Sequence, residues 1–303
     1  MKILFNSKLK SKKVFMGRFI SYFLLIISLA GSYSNAQIYT QKDVEVFNAK
    51  FKLAVSKNLA KDSIGDVIAS IGKSFIGTEY AAHSLEQGKT EELVIDLTGL
   101  DCTTFLENAL AFARCIKENK TSFEDYEKEL TKIRYRNGVI NGYASRLNYF
   151  SDWIYNNEEK GIIKNISKKL GGVPVKFNVN FMSAHSGAYV QLKENPSLIP
   201  LIENQEKEIS ERLYYYIPKE KVAAAEKEIH NGDLIAFTSA IKGLDINHVG
   251  IAVKGKDGSI YLMHAPNVGY KVQIADEPLS VYISKVKKDT GIIVLRAVEP
   301  EKL

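Results

Sequence analysis

The spacing of apolar residues changes character once along this chain, at Asn231. Before that point the recurrence is helical. Val44, Phe47, Phe51, Val55 and Leu59 mark an amphipathic helix over residues 41–60, and Ile64 to Phe75 mark another that ends near Gly77. Phe105, Leu106, Ala109, Leu110, Ala113 and Ile116 place a third helix from Cys102, and Phe123 to Ile133 a fourth. After Asn231 come short apolar runs bounded by turn residues: Asp233–Phe237, His248–Val253, Ser259–Ala265, Lys271–Ala275 and Ile292–Val298. Helices first and strands later limit the chain to an α+β fold in which N-terminal helices pack on an antiparallel sheet. Between them, at about residues 117–230, lies a long insert read as helical and irregular, with a charged helix at Glu203–Leu213 and another after Pro218. No linker marks off a second domain, so residues 37–303 are expected to form one.

Residues 1–36 read as a secretory signal. Lys2, Lys8, Lys10, Lys12, Lys13 and Arg18 form a basic start, Phe19–Ala30 an apolar core, and Ser34-Asn35-Ala36 a small-residue cleavage site before Gln37. The apolar core is 12 residues long, short of the roughly 20 needed to span a bilayer. Cleavage is therefore favoured over an uncleaved anchor, with export to a periplasmic or extracellular space and no membrane segment left afterwards. It also removes the charge excess: the whole chain carries +6, but those six cations precede any acidic residue, and the remainder has 35 basic and 35 acidic residues. A neutral mature protein has no electrostatic case for nucleic acid.

Export would normally pair two cysteines. Cys102 and Cys115, however, stand 13 positions apart on one helix, about 20 Å at 1.5 Å per residue. They should both stay free, Cys115 as a core residue. Cys102 is placed differently. Thr98, Gly99 and Asp101 make a turn, and Asp101 suits the N-cap. Cys102 then sits in the first helical turn, where free amides and the helix dipole favour an anion and lower a thiol's pKa. A small buried hydrophobe is the competing reading of the same residue.

Two histidines lie in the strand region. If residues 254–258 form the loop after the second strand, Val253 faces Ser259 and His248 falls directly opposite His264. Thiol and paired imidazoles are the parts of a cysteine hydrolase: His248 takes the thiol proton, and His264 fixes its tautomer. The same residue types also suit zinc, although the close Cys-x-x-Cys or His-x-x-x-His spacings of zinc sites are missing, and coincidence stays open too. His83, His185 and His230 have no comparable setting and read as surface or loop residues.

The ordered series Gly77-Thr78-Glu79-Tyr80, Asp101-Cys102-Thr103-Thr104-Phe105, Gly232-Asp233-Leu234-Ile235, His248-Val249-Gly250-Ile251 and His264-Ala265 resembles the NlpC-type papain-like cysteine peptidases. Cys-Thr-Thr-Phe, the long insert and Gly243-Leu244-Asp245 before Ile246-Asn247-His248 resemble more narrowly their N-acetylmuramoyl-L-alanine amidase-like branch, over residues 64–298. The resemblance implies a papain-like fold, Cys102 as nucleophile, His248 as base, His264 as its orienting partner, and Tyr80 beside the oxyanion. Glu79 departs from the proline of relatives. It further implies a peptidoglycan hydrolase acting on muropeptides, at the muramoyl–L-alanine amide or within the stem peptide, as a monomer without cofactor or metal. Arg146, Tyr149 and Trp153 in the insert are candidates for the substrate groove, since arginine pairs with carboxylates and aromatic rings offer platforms to sugars; Tyr149 and Trp153 in the core and Arg146 on the surface is the competing reading. A non-catalytic cell-wall module or a zinc-binding module is the alternative outside hydrolysis.

Overall fold

A helix that must be buried on every side needs its polar residues paired, and Cys102–Lys117 is such a helix. The computed structural model describes residues 37–88 and 90–301; the signal-like segment lies outside them. Its strands are β1 (Gln37–Ile38), β2 (Leu93–Val94), β3 (Ile163–Asn165), β4 (Val173–Val175), β5 (Tyr214–Pro218), β6 (Leu234–Ser239), β7 (Ile246–Lys254), β8 (Ile260–His264), β9 (Gln273–Pro278) and β10 (Asp289–Ala297). Its α-helices are α1 (Gln41–Ser56), α2 (Ile64–Lys73), α3 (Cys102–Lys117), α4 (Phe123–Arg134), α5 (Phe150–Glu159), the short α6 (Phe181–Ala184) and α7 (Val190–Glu194), α8 (Ile199–Glu211), α9 (Val222–Ala225) and α10 (Leu279–Lys285).

The start of α3 is closed by a reciprocal cap. The Asp101 carboxylate accepts the Thr104 amide at 2.7 Å, and the Thr104 hydroxyl accepts the Asp101 amide at 2.9 Å. From Thr104 to Ile116 every residue of α3 is buried. Its charged residues survive that burial in pairs: Glu107 accepts from Arg134 at 2.7 Å, and Arg114 donates to Glu129. Phe112 joins Phe47, Phe51 and Tyr126 of the flanking helices in an aromatic cluster. Both cysteines are free, and Cys115 is 1% exposed.

The large sheet runs in the order β4-β5-β10-β6-β7-β8-β9, with β3 also paired to β10. These pairings are antiparallel. Side-chain alternation builds a core on each face. Leu234, Ala236, Val249, Ile251 and Met263 pack toward α2 and α3, while Ile235, Phe237, Ala252 and Leu262 pack toward α9 and α10. Gly232 (φ +84°) lets the start of β6 touch α2: a Cβ there would lie 1.9 Å from the Gly65 carbonyl oxygen.

The insert differs from its helical and irregular expectation. It supplies β3, β4 and β5 to the sheet. Tyr214-Tyr-Tyr-Ile-Pro218 is an aromatic, β-branched run that ends at a proline, so Pro218 closes a strand before only short helical turns over residues 219–228. Pro174 is tolerated because β4 is an edge strand. The aromatic stretch near Trp153 becomes α5.

Candidate active site

Cys102 opens α3 half-buried, with its sulfur supported by the amide of Val249, the residue after His248. The helix start thus delivers the thiol to the strand that carries the first histidine. Burial, reinforced by the Asp101 carboxylate, pushes this thiol up to about 12, against the Val249 amide and the Thr103 hydroxyl. The shift runs opposite to the expected lowering because desolvation and Asp101 outweigh the hydrogen bonds from Val249 and Thr103. The resting sulfur is a neutral thiol.

The two imidazoles meet: His248 Nε2 and His264 Nδ1 are 2.7 Å apart. Burial lowers His248 to about 4, and burial with the neighbouring His248 lowers His264 to about 3, so both are neutral near pH 7. Their route to contact differs from the expected register. β7 and β8 pair as Lys254↔Ile260, Val253↔Tyr261 and Ile251↔Met263, because the loop is residues 255–259, closed by Gly255 N–H donating to the Ser259 carbonyl at 2.8 Å. His248 and His264 are therefore diagonal neighbours rather than direct partners. The displacement is an even number of residues, so both rings keep one face. Gly250 is the residue that faces His264 by continuation of this register. A Cβ on Gly250 would lie 2.8 Å from the Met263 carbonyl oxygen and 3.1 Å from His264 Cβ, so its bareness gives the rings room to meet.

Aromatic rings wall the pair. Phe237 is the β6 partner of His248, with ring centroids 5.7 Å apart. Tyr282 of α10 stands at 86° to His264, centroids 5.4 Å apart, and also meets Phe237. The Tyr282 phenol is raised by burial, then by Asp289 and by Cys102. Asp289 in turn accepts a hydrogen bond from the Asn247 amide, beside His248. Sequence reasoning missed Tyr282 because a lone tyrosine on a seven-residue helix carries no periodic signal.

Tyr80 is half-buried beside the thiol; burial raises its phenol, followed by the charges of Cys102 and Asp101. Its amide donates to the Tyr270 carbonyl at 2.8 Å, which ties the segment before the nucleophile to the loop after His264. A cavity of about 260 Å³ opens here, bordered by Tyr80, Asp101, Thr103, Arg146 and Asn148. A larger one, about 530 Å³, lies between residues 175–180 and 238–244; neither cavity is lined by Cys102, His248 or His264 themselves.

The three insert candidates sit otherwise than expected. Trp153 is fully buried, stacked on Phe150, and donates its indole N–H to Glu107 at 3.1 Å. It has no face for a sugar. Tyr149 is 5% exposed; its hydroxyl donates to Glu206 and accepts the Met182 amide. Arg146 borders the cleft, but its guanidinium is spent on Glu91 and Glu86, at 2.7 Å each. Arg146 and Trp153 tie the insert to the chain before it, and Tyr149 joins two parts of the insert. Asp245 ties it from the sheet side, accepting the Ser151 amide at the start of α5 at 2.7 Å. His83, His185 and His230 are exposed. Among the described residues no group of three His, Cys, Asp or Glu side chains converges to hold a metal ion.

A family model described as N-acetylmuramoyl-L-alanine amidase-like matches residues 70–292. The chain is 36% identical to a solved N-acetylmuramoyl-L-alanine amidase from Bacteroides uniformis, with a TM-score of 0.74, over 78% of this chain and 99% of that one. A Bacteroides fragilis protein provisionally assigned as a xylanase is 38% identical, with a TM-score of 0.70, over 74% and 98%. A Legionella pneumophila protein at 22% identity shares the fold, with a TM-score of 0.67. No curated protein matches the chain.

Proposed function

The chain belongs to the N-acetylmuramoyl-L-alanine amidase-like family, and from that premise we propose that it cleaves the muramoyl–L-alanine amide of muropeptides through a Cys102–His248–His264 triad. The observation that carries this reading is the 2.7 Å contact between His248 Nε2 and His264 Nδ1. It leaves Nδ1 of His248 outside the pair, on the residue next to the amide that supports the Cys102 sulfur.

The reaction follows from neutral partners. As the Cys102 sulfur attacks the carbonyl carbon, its proton passes to Nδ1 of His248, and His264 holds the imidazolium through Nε2. The Cys102 amide, unpaired at the helix start, and the Tyr80 hydroxyl stabilise the oxyanion. His248 returns the proton to the leaving L-alanine amine, giving a thioester. Water, activated by His248, then releases the muramoyl lactyl carboxylate and regenerates the thiol. A glycosidase reading has less support: it needs two free carboxyl groups, and those around the cleft are engaged, Asp101 by Thr104, Glu107 by Arg134 and Glu86 by Arg146. We also propose that the protein works outside the cytoplasm after cleavage before Gln37, on the strength of the signal-like start.

Acid quenching during turnover tests the assignment. Mass spectrometry of the Cys102 peptide should find an acyl adduct with the mass of the muramoyl sugar and no amino acid. An adduct that carries stem-peptide residues would make the protein an endopeptidase. An active enzyme whose adduct lies elsewhere would overturn the cysteine mechanism.

A further inference from the structure

His264 is 2% exposed, and its two ring nitrogens differ in their surroundings. Nδ1 meets His248 Nε2, whereas Nε2 is buried with no nitrogen or oxygen partner. A neutral imidazole carries its proton on one nitrogen and accepts on the other. The pair therefore has two neutral arrangements. In the first, His264 Nδ1–H donates to His248 Nε2. His248 then carries its own proton on Nδ1 and cannot take one there. In the second, His248 Nε2–H donates to His264 Nδ1, and His248 Nδ1 is a bare lone pair. Only the second can receive the thiol proton. It places the His264 proton on Nε2, as a buried N–H, and orphaned buried N–H groups are rarer than under-used acceptors. For the two rings taken by themselves, the unpartnered Nε2–H disfavours the working tautomer.

The group beside His264 is an aromatic ring. The Tyr282 ring lies 5.4 Å from His264, centroid to centroid, at 86°, the edge-to-face arrangement. Phe237 holds that ring from a second side at 5.9 Å. An aromatic face is electron-rich and takes an N–H as a weak hydrogen bond. We propose that the Tyr282 ring receives the His264 Nε2–H and so selects the tautomer that leaves His248 Nδ1 free. The inference rests on the reading of His248 as the base. Tyr282 is then a positioning residue, acting through two imidazoles, and its ring does this rather than its hydroxyl.

Long-range proton–nitrogen correlation spectra of histidine-labelled protein read the tautomers without turnover. At about pH 8, above the range of both imidazoles, His248 and His264 should each show Nε2–H in the wild type and in Tyr282→Phe. Folded Tyr282→Leu should move His264 to Nδ1–H and lose about tenfold or more in kcat with KM unchanged. Nδ1–H on His264 in the wild type, or a tautomer in Tyr282→Leu that does not move, would overturn the proposal. So would Tyr282→Phe losing as much activity as Tyr282→Leu. The wild-type and Tyr282→Phe spectra decide the matter even if Tyr282→Leu does not fold. An active amidase with the wrong tautomer sinks this inference, and His248 Nδ1 as the base with it, but leaves the amidase reading standing; the right tautomer without amidase activity sinks the functional reading alone.

Discussion

Three side chains carry the chemistry of the proposed reaction, and their roles are unequal. In the mechanism we propose, His248 exchanges a proton with Cys102 in each turnover, while His264 only holds it, through the 2.7 Å contact. Removing a general base typically costs about 10²–10⁴-fold in rate. His248→Ala should therefore fall by that much in kcat/KM. His264→Asn should keep a measurable fraction, because an amide can still orient an imidazole by hydrogen bonding. Steady-state rates on one muropeptide, with folding checked by circular dichroism, separate the two. Equal loss in both variants would give His264 more than an orienting role, and an active His248→Ala would remove the base from the mechanism. The neutral thiol, raised to about 12 by burial and Asp101, makes this proton transfer part of the attack rather than a step completed beforehand.

At the scale of elements, the insert is held by buried ion pairs whose disruption reads out as stability. Arg146 is 7% exposed between Glu86 and Glu91. Breaking such a pair by deleting one partner costs about 3–5 kcal/mol, since it leaves a buried charge uncompensated. Arg146→Met should thus lower the melting temperature sharply. A variant with unchanged melting temperature and a raised KM would return Arg146 to the substrate groove. These elements also show which parts of the molecule a sequence exposes. The start of α3 was legible because Thr98, Gly99 and Asp101 announce a turn and a cap and the apolar spacing continues to Ile116. The two histidines were legible because parity, not register, decides the face, so a displaced loop left them together. β3 and β4 were not legible: three residues each, they are too short for alternation to register. Arg146, Tyr149 and Trp153 misled for a related reason. Residue type announces what a side chain can bind, but only packing decides whether Glu91, Glu206 and Glu107 have already taken it.

For the molecule as a whole, the histidine pair links folding to pH. The folded protein keeps both rings neutral, at about 4 for His248 and about 3 for His264, below the ordinary 6.5. The unfolded chain binds those protons first as pH falls. Their contribution to stability is thus complete above 6.5, is lost as pH drops toward about 4, and falls further for His264 to about 3. Melting temperatures across this window should decline, and less steeply in His264→Asn; identical slopes would contradict buried neutral imidazoles. The central claim is that one thiol opens one amide. The direct measurement is mass spectrometry of a defined disaccharide–peptide after incubation with the wild type and with Cys102→Ala. The account predicts free disaccharide and an intact stem peptide beginning with L-alanine from the wild type, and nothing from a Cys102→Ala protein that melts as the wild type does. Turnover by that folded variant, or stem-peptide fragments with L-alanine still on the sugar, would contradict it.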